Sequence, residues 1–171
     1  EAGNWSTSGS STTTVDTVAP VLTSVVLGGG APNSASRTLN VAINIDSAGD
    51  PGPAVEMSHF QRFTTGTEAW SDYVPVNTSF NQLFNTDGTV YYWVQLKDAA
   101  GNVCNYQSDS IVVDTVEPTM ASFSINGGTT YSGSASVTLS SSVSDATTYV
   151  QYMRFANGSD PITSAGWISY S

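Results

Sequence analysis

Cysteine is nearly missing: Cys104 stands alone, so no disulfide framework can form within these 171 residues. Basic side chains are almost as scarce. Four Lys and Arg face fourteen Asp and Glu, a formal net charge of −10, and that balance repels phosphate backbones and anionic membrane faces. Nucleic acid is therefore not an expected partner. Histidine occurs once, at His59, which leaves Ser-His or Cys-His chemistry a single base to draw on. Lys97 is the only lysine, so surface helices rich in Lys, Glu, Ala and Leu are not expected. Apolar runs stay far short of the ~18 residues of a membrane span, and no signal peptide opens the chain.

What is present is Ser, Thr, Gly and Asn around a hydrophobic fraction of 39%, enough for a thin core of strands and turns. The acidic excess suits a secreted protein in calcium-rich water, where divalent ions offset clustered carboxylates. Solubility alone is the plainer alternative.

An internal repeat organises the chain. Val15-Asp16-Thr17-Val18-Ala19-Pro20 returns as Val113-Asp114-Thr115-Val116-Glu117-Pro118, 98 positions later. Thr38-Leu39-Asn40-Val41 aligns with Ser136-Val137-Thr138-Leu139, Val55 to Phe60 with Val150 to Phe155, and Trp70-Ser71-Asp72-Tyr73 with Trp167-Ile168-Ser169-Tyr170. Ala2-Gly3-Asn4 through Asp16 echoes Ala100-Gly101-Asn102 through Asp114. The expected organisation is a closing strand of a preceding repeat (1–16), one complete module (17–115) and an incomplete one (116–171). The last lacks the counterpart of residues 75–98 and is expected to be poorly stable alone.

Within the complete module, short alternating runs punctuated by Gly, Pro, Asn and Asp read as half-buried strands. Leu39, Val41, Ile43 and Ile45 share one face of a strand over 38–45, and Tyr92, Val94 and Leu96 share one face over 89–97. Ile111 and Val113 are buried by the closing strand. Strands over 21–27, 55–63 and 76–84 bring the set to about seven, the number of an immunoglobulin-like sandwich. Pro20 and Pro118 precede the first strand of each module and stiffen the joint.

Lys97-Asp98-Ala99-Ala100-Gly101-Asn102, then Ser108 through Thr115 and Pro118, resembles the bacterial immunoglobulin-like repeats of large extracellular surface proteins and adhesins. That resemblance implies an all-β fold of tandem immunoglobulin-like, fibronectin-III-like β-sandwich modules with antiparallel Greek-key strands. It further implies a non-enzymatic stalk or filament role at the cell surface, with further copies of the repeat as partners. In some calcium-dependent relatives, junction carboxylates bind calcium and stiffen the rod.

Three junction aspartates, Asp16, Asp98 and Asp114, are accordingly the first candidate calcium ligands, since hard oxygen donors suit that ion. The loop carboxylates Asp46, Asp50, Glu56, Glu68 and Asp72 form a rival set, and as a pair in a cleft they would also suit glycoside hydrolysis. A third reading has Asp98 and Asn102 simply capping a turn. Among aromatics, outward Trp93 and Tyr91 are candidates for stacking on surface glycans, the feature that supports a carbohydrate-binding or accessory adhesive module of a secreted enzyme. Trp70 recurs as Trp167, which points to a packing role repeated in each module. Cys104 faces Ser6 in the front copy, so a Cys-His pair is not expected; a free or intermolecular thiol is.

Overall fold

The computed structural model describes residues 2–3, 9–46, 48–50, 52, 54–63, 69–156, 158 and 166–170, with backbone alone at 55 and 60–63. Twelve strands follow in order: β1 (Val21–Leu27), β2 (Asn33–Ser34), β3 (Thr38–Asp46), β4 (Ala54–Phe63), β5 (Val74–Pro75), β6 (Ser79–Leu83), β7 (Gly88–Asp98), β8 (Gln107–Val113), β9 (Thr119–Ile125), β10 (Leu139–Ser144), β11 (Tyr152–Met153) and β12 (Ile168–Ser169). No α-helix occurs among the described residues, and so none is long and apolar enough to cross a membrane.

Two sheets carry the first part of the chain. One has the order β1-β3-β6; the other has the order β2-β8-β7-β4-β5. Their apolar faces meet in a single core, to which β1 gives Leu22, Val25 and Leu27, β3 gives Leu39, Val41 and Ile43, β7 gives Val90, Tyr92, Val94 and Leu96, and β8 gives Ile111 and Val113. All seven side chains that alternation assigns most firmly inward, from Leu39 to Ile111, are 4% exposed or less. Full burial of each such side chain is worth about 1.5–3 kcal/mol against exposure. Outward positions of β7, among them Tyr91, Trp93 and Gln95, are half-buried.

The pairing is antiparallel except between β2 and β8, whose two-residue ladder runs parallel. A wholly antiparallel arrangement is thus corrected at one edge. After β1 a tight turn over 28–30 takes the chain across to the second sheet, where the Pro32 and Ser34 carbonyls accept hydrogen bonds from Val112 and Asp114 amides. Gly28 is required there: its φ is +54°, and a Cβ would lie 2.9 Å from Ile111 Cδ1.

The described residues of 119–170 repeat local geometry without the core. β9 and β10 pair antiparallel, and Ala121 is passed over in their register as Thr23 is in that of β1 and β3, 98 positions earlier. Asn126 holds φ +49° where Gly28 holds +54°. Among the described residues every buried apolar side chain nevertheless lies between Pro20 and Val113. At the front of the chain, the closing strand expected over 1–16 is not formed at residues 9–16, which join no ladder and are mostly exposed; without a neighbouring strand nothing holds the extended conformation. Residues 1 and 4–8 lie outside the described residues.

Candidate metal centre

β7 delivers Asp98 at its last position, where its backbone must turn back toward β8. Asp98 caps that turn: its Oδ1 accepts the Asn102 amide at 2.8 Å, and its Oδ2 accepts Asn102 Nδ2 at 2.8 Å. The turn-capping reading of Asp98 and Asn102 is therefore correct as geometry. Asp98 is also almost wholly buried. Burial pushes its carboxyl pKa up, but hydrogen bonds from the Asn102 side chain and from the Asn102, Gly101 and Ala100 amides outweigh that and hold it below the ordinary value.

The same Asn102 side chain reaches the linker. Its Nδ2 donates to the carbonyls of Asp16 at 3.2 Å and Val18 at 3.3 Å, fastening residues 16–18 to the β7–β8 turn. This places the Asp16 carboxylate beside Asp98. Asp50, from the β3–β4 loop, completes the group, and one oxygen from each of Asp16, Asp50 and Asp98 lies within 4.8 Å of the others. Each carboxylate is oriented by an amide two or four residues on: Val18 donates to Asp16 Oδ1 at 3.0 Å, and Gly52 to Asp50 Oδ1 at 2.9 Å.

Asp16 Oδ2 is closed off from solvent and accepts no hydrogen bond. Burying a carboxylate oxygen beside two other carboxylates without a donor is costly unless a cation meets it. The two ion pairs among the described residues lie elsewhere, Arg37 with Asp87 and Lys97 with Glu56. Donors of this kind, all hard oxygens, suit calcium, whose ligands stand about 2.3–2.6 Å from the ion, so that opposite ligands lie roughly 4.8 Å apart. The residues present fit a divalent ion.

Asp114 does not belong to this group. Val113 pairs with Gly88, the first residue of β7, whereas Asp98 is its last; at ~3.3 Å per residue the two ends stand about 33 Å apart. The triad Asp16, Asp98 and Asp114 is thus corrected to Asp16, Asp50 and Asp98. At its own pole Asp114 Oδ2 accepts the Thr148 hydroxyl at 2.5 Å, and Asp87 accepts both the Thr115 amide and its hydroxyl. The Arg37 guanidinium beside Asp87 holds its carboxyl down to about 2, with the Thr115 bonds assisting against partial burial.

The rival loop set disperses. Asp46 caps its own turn by accepting the Ala48 amide, Glu56 pairs with Lys97, and Asp72 is exposed; Glu68 lies outside the described residues. Asp50 alone joins the centre. Its membership was hidden because it is 34 residues from Asp16 and 48 from Asp98 in sequence, and only the folding of the β3–β4 loop under the linker unites them. A faint signal existed in Gly52, the small residue two positions on.

The aromatic candidates sit on the outer face of the second sheet. Trp93 meets the edge of Tyr106 with ring centroids 5.0 Å apart, and Tyr106 in turn lies 6.4 Å from exposed Trp70. Tyr91 is half-buried on the same face of β7. Tyr106 was not anticipated. The idea that Trp70 and Trp167 share one packing role is corrected: Trp167 is exposed beneath the Arg154 guanidinium, at 4.5 Å, while Trp70 tilts on Tyr106. Cys104 is buried, its Sγ accepting the Leu96 amide at 3.1 Å, and burial pushes its thiol pKa up. An intermolecular thiol role is corrected on the same ground, since the sulfur packs inside the core.

No protein-family model, no curated protein and no solved structure matches the chain.

Proposed function

We propose that the chain is a non-enzymatic structural segment, a stalk or filament piece of an extracellular surface or adhesin protein, built of tandem immunoglobulin-like β-sandwich modules. The observation that carries this reading is the position of the two linkers. Residues 16–18 are fastened at the Asp98 end of β7, and residues 114–115 leave at the Gly88 end, tied by Ser34, Asp87 and Thr148. A chain that enters at one pole and leaves at the other strings modules end to end. The 98-position repeat, the shared register shift at Thr23 and Ala121, and proline at both joints support the same reading.

Tension applied along such a rod loads the ladder of β1 lengthwise instead of opening it one bond at a time. Pulling the chain by its two ends should give one cooperative rupture, releasing about 300 Å of contour for the unit between β1 and β8 at ~3.3–3.6 Å per residue. Extension without a resolved rupture would sink the stalk reading.

The Trp70, Trp93 and Tyr106 cluster favours a second reading, a carbohydrate-binding or accessory adhesive module, because exposed rings such as Trp70 and Tyr106 stack on sugars. Its edge-to-face contacts occupy part of the ring surface that a sugar would need. Titration with oligosaccharides decides: saturable change of tryptophan emission favours binding, and a flat response favours the stalk.

A further inference from the structure

The acceptor pattern of N-glycosylation, Asn-x-Ser/Thr, begins at Asn4, Asn77 and Asn157. In a chain rich in Ser and Thr the pattern alone selects no site, so its surroundings decide. Asn4 and Asn157 lie outside the described residues. Asn77 stands in the link over 76–78, where the chain crosses from β5 of one sheet to β6 of the other. That link is pinned from within. Val76 packs against the core, the Asn77 amide donates to Sδ of buried Met57 at 3.5 Å, and the Thr78 carbonyl accepts the Ile43 amide at 2.9 Å. Asn77, Thr78 and Ser79 nevertheless all have exposed side chains.

The Asn77 carboxamide is turned as an acceptor requires. Its Oδ1 takes the Ser79 amide at 3.2 Å, a turn that folds the third residue of the pattern back on the first. Its Nδ2 donates to no described residue. The Nδ2 groups of Asn40, Asn44 and Asn102 are engaged by Ser79 Oγ, Ser24 Oγ and Asp98 Oδ2, and none of these residues begins the pattern.

Place in the fold gives the site a use. β6 is the outer strand of its sheet and β5 that of the other, so Asn77 stands on the flank where both sheets end. A strand edge of this kind is a template for pairing with another chain. The opposite flank is bridged by the turn over 28–30 and by the Leu27 amide, which donates to Asp109 Oδ2 at 2.8 Å. Ser79 pairs with Ala42, at the middle of β3, which sets Asn77 away from both linkers.

We propose that Asn77 is a glycan acceptor: an oligosaccharide carried on a polyprenyl diphosphate is transferred to its Nδ2, and the bulky polar product stands beside the edge of β6 and blocks strand addition there. In the transfer the bond from the anomeric carbon to the diphosphate breaks and a bond from that carbon to Nδ2 forms. The proton displaced from the carboxamide leaves with the diphosphate. The proposal rests on the extracellular setting of the stalk reading, and it leaves both poles free for end-to-end joining.

The test is cell-free synthesis of the full chain behind a cleavable secretory signal, with microsomes that contain oligosaccharyltransferase. Asn4→Gln and Asn157→Gln remove the other two acceptors, and an Asn-Gly-Thr extension after Ser171 reports translocation. Glycopeptide mass spectrometry should find Asn77 occupied in most chains whose extension is occupied. Ser79→Ala, which keeps the backbone amide at 79 and therefore the turn, should leave Asn77 bare without lowering the melting temperature; Ser79→Thr should keep it occupied. In sedimentation velocity at equal concentration, the chain glycosylated at Asn77 should associate less than the Ser79→Ala chain. A bare Asn77 beside an occupied extension would overturn the acceptor, and equal association of the two forms would overturn the shielding of β6. The rupture under load judges the stalk reading separately, since it is measured on the unglycosylated chain and does not depend on Asn77.

Discussion

Residues 21–113 and 119–170 carry the same alternation of apolar and polar positions and end in different physical states. Leu22, Val25, Leu27 and Leu39 are 5% exposed or less, while Met120, Phe123, Ile125 and Val137, 98 positions on, are 60%, 47%, 49% and 45% exposed. β1 with β3 and β9 with β10 form the same hairpin-like pair, down to the residue skipped in register. What separates the regions is the facing sheet. In the first, β7 lays Val90, Tyr92, Val94 and Leu96 across the pair; in the second, β11 and β12 supply only two paired residues each. A strand pattern thus sets which face is apolar, and a core exists only where a second face arrives to cover it.

The comparison is broken most forcefully by supplying that face. A chain in which Ser171 is followed by a second copy of residues 75–115 should gain a further cooperative unfolding transition, worth about 5 kcal/mol or more, with Trp167 emission as reporter in urea. Unchanged exposure of Trp167 and a single transition would mean that the matching sequence pattern does not encode a matching fold.

Next in size is a pair of substitutions at matching positions. Val25→Asp puts a charge without a partner between two sheets and should cost about 4 kcal/mol or more by urea denaturation, as should Val94→Asp on the opposing sheet. Phe123→Asp, where the side chain is already half in water, should cost under ~1 kcal/mol. Equal costs at Val25 and Phe123 would abolish the distinction between the regions.

Much of this was legible in the residues. The phase of β3, β7 and β8 follows from period-two alternation, because a strand with one wet face leaves no other choice for Leu39, Val41, Tyr92 or Val94. Three features were not legible, each for a spatial reason. The parallel β2–β8 contact depends on a glycine turn carrying the chain between sheets. Asp98 and Asp114 look like neighbours across a short interval, yet an eleven-residue strand sets their ends at opposite poles. Asp50 joined Asp16 only when the β3–β4 loop folded beneath the linker. Alternation is a local property, whereas the meeting of loops at a pole is a product of the whole topology.

The smallest effect expected separates the regions by pH. Repeat alignment sets His59 against Arg154. His59 is half-buried, its ring stacked on Tyr92 at a centroid distance of 5.4 Å and tilted on Phe80 at 6.4 Å, and burial lowers its pKa below the ordinary 6.5. Tyr92, whose phenol burial pushes upward, stays uncharged throughout this range and gives the imidazolium no counter-charge. Between 6.5 and the lower folded value the unfolded chain binds a proton that the folded chain does not, so stability is full above pH 6.5 and declines as pH falls through that window. His59→Gln should flatten the urea midpoint between pH 7 and 5. Arg154→Gln, at the matching position of the repeat, should leave the slope as it is in wild type. A slope that survives His59→Gln would assign the proton uptake to another group and remove His59 from the account.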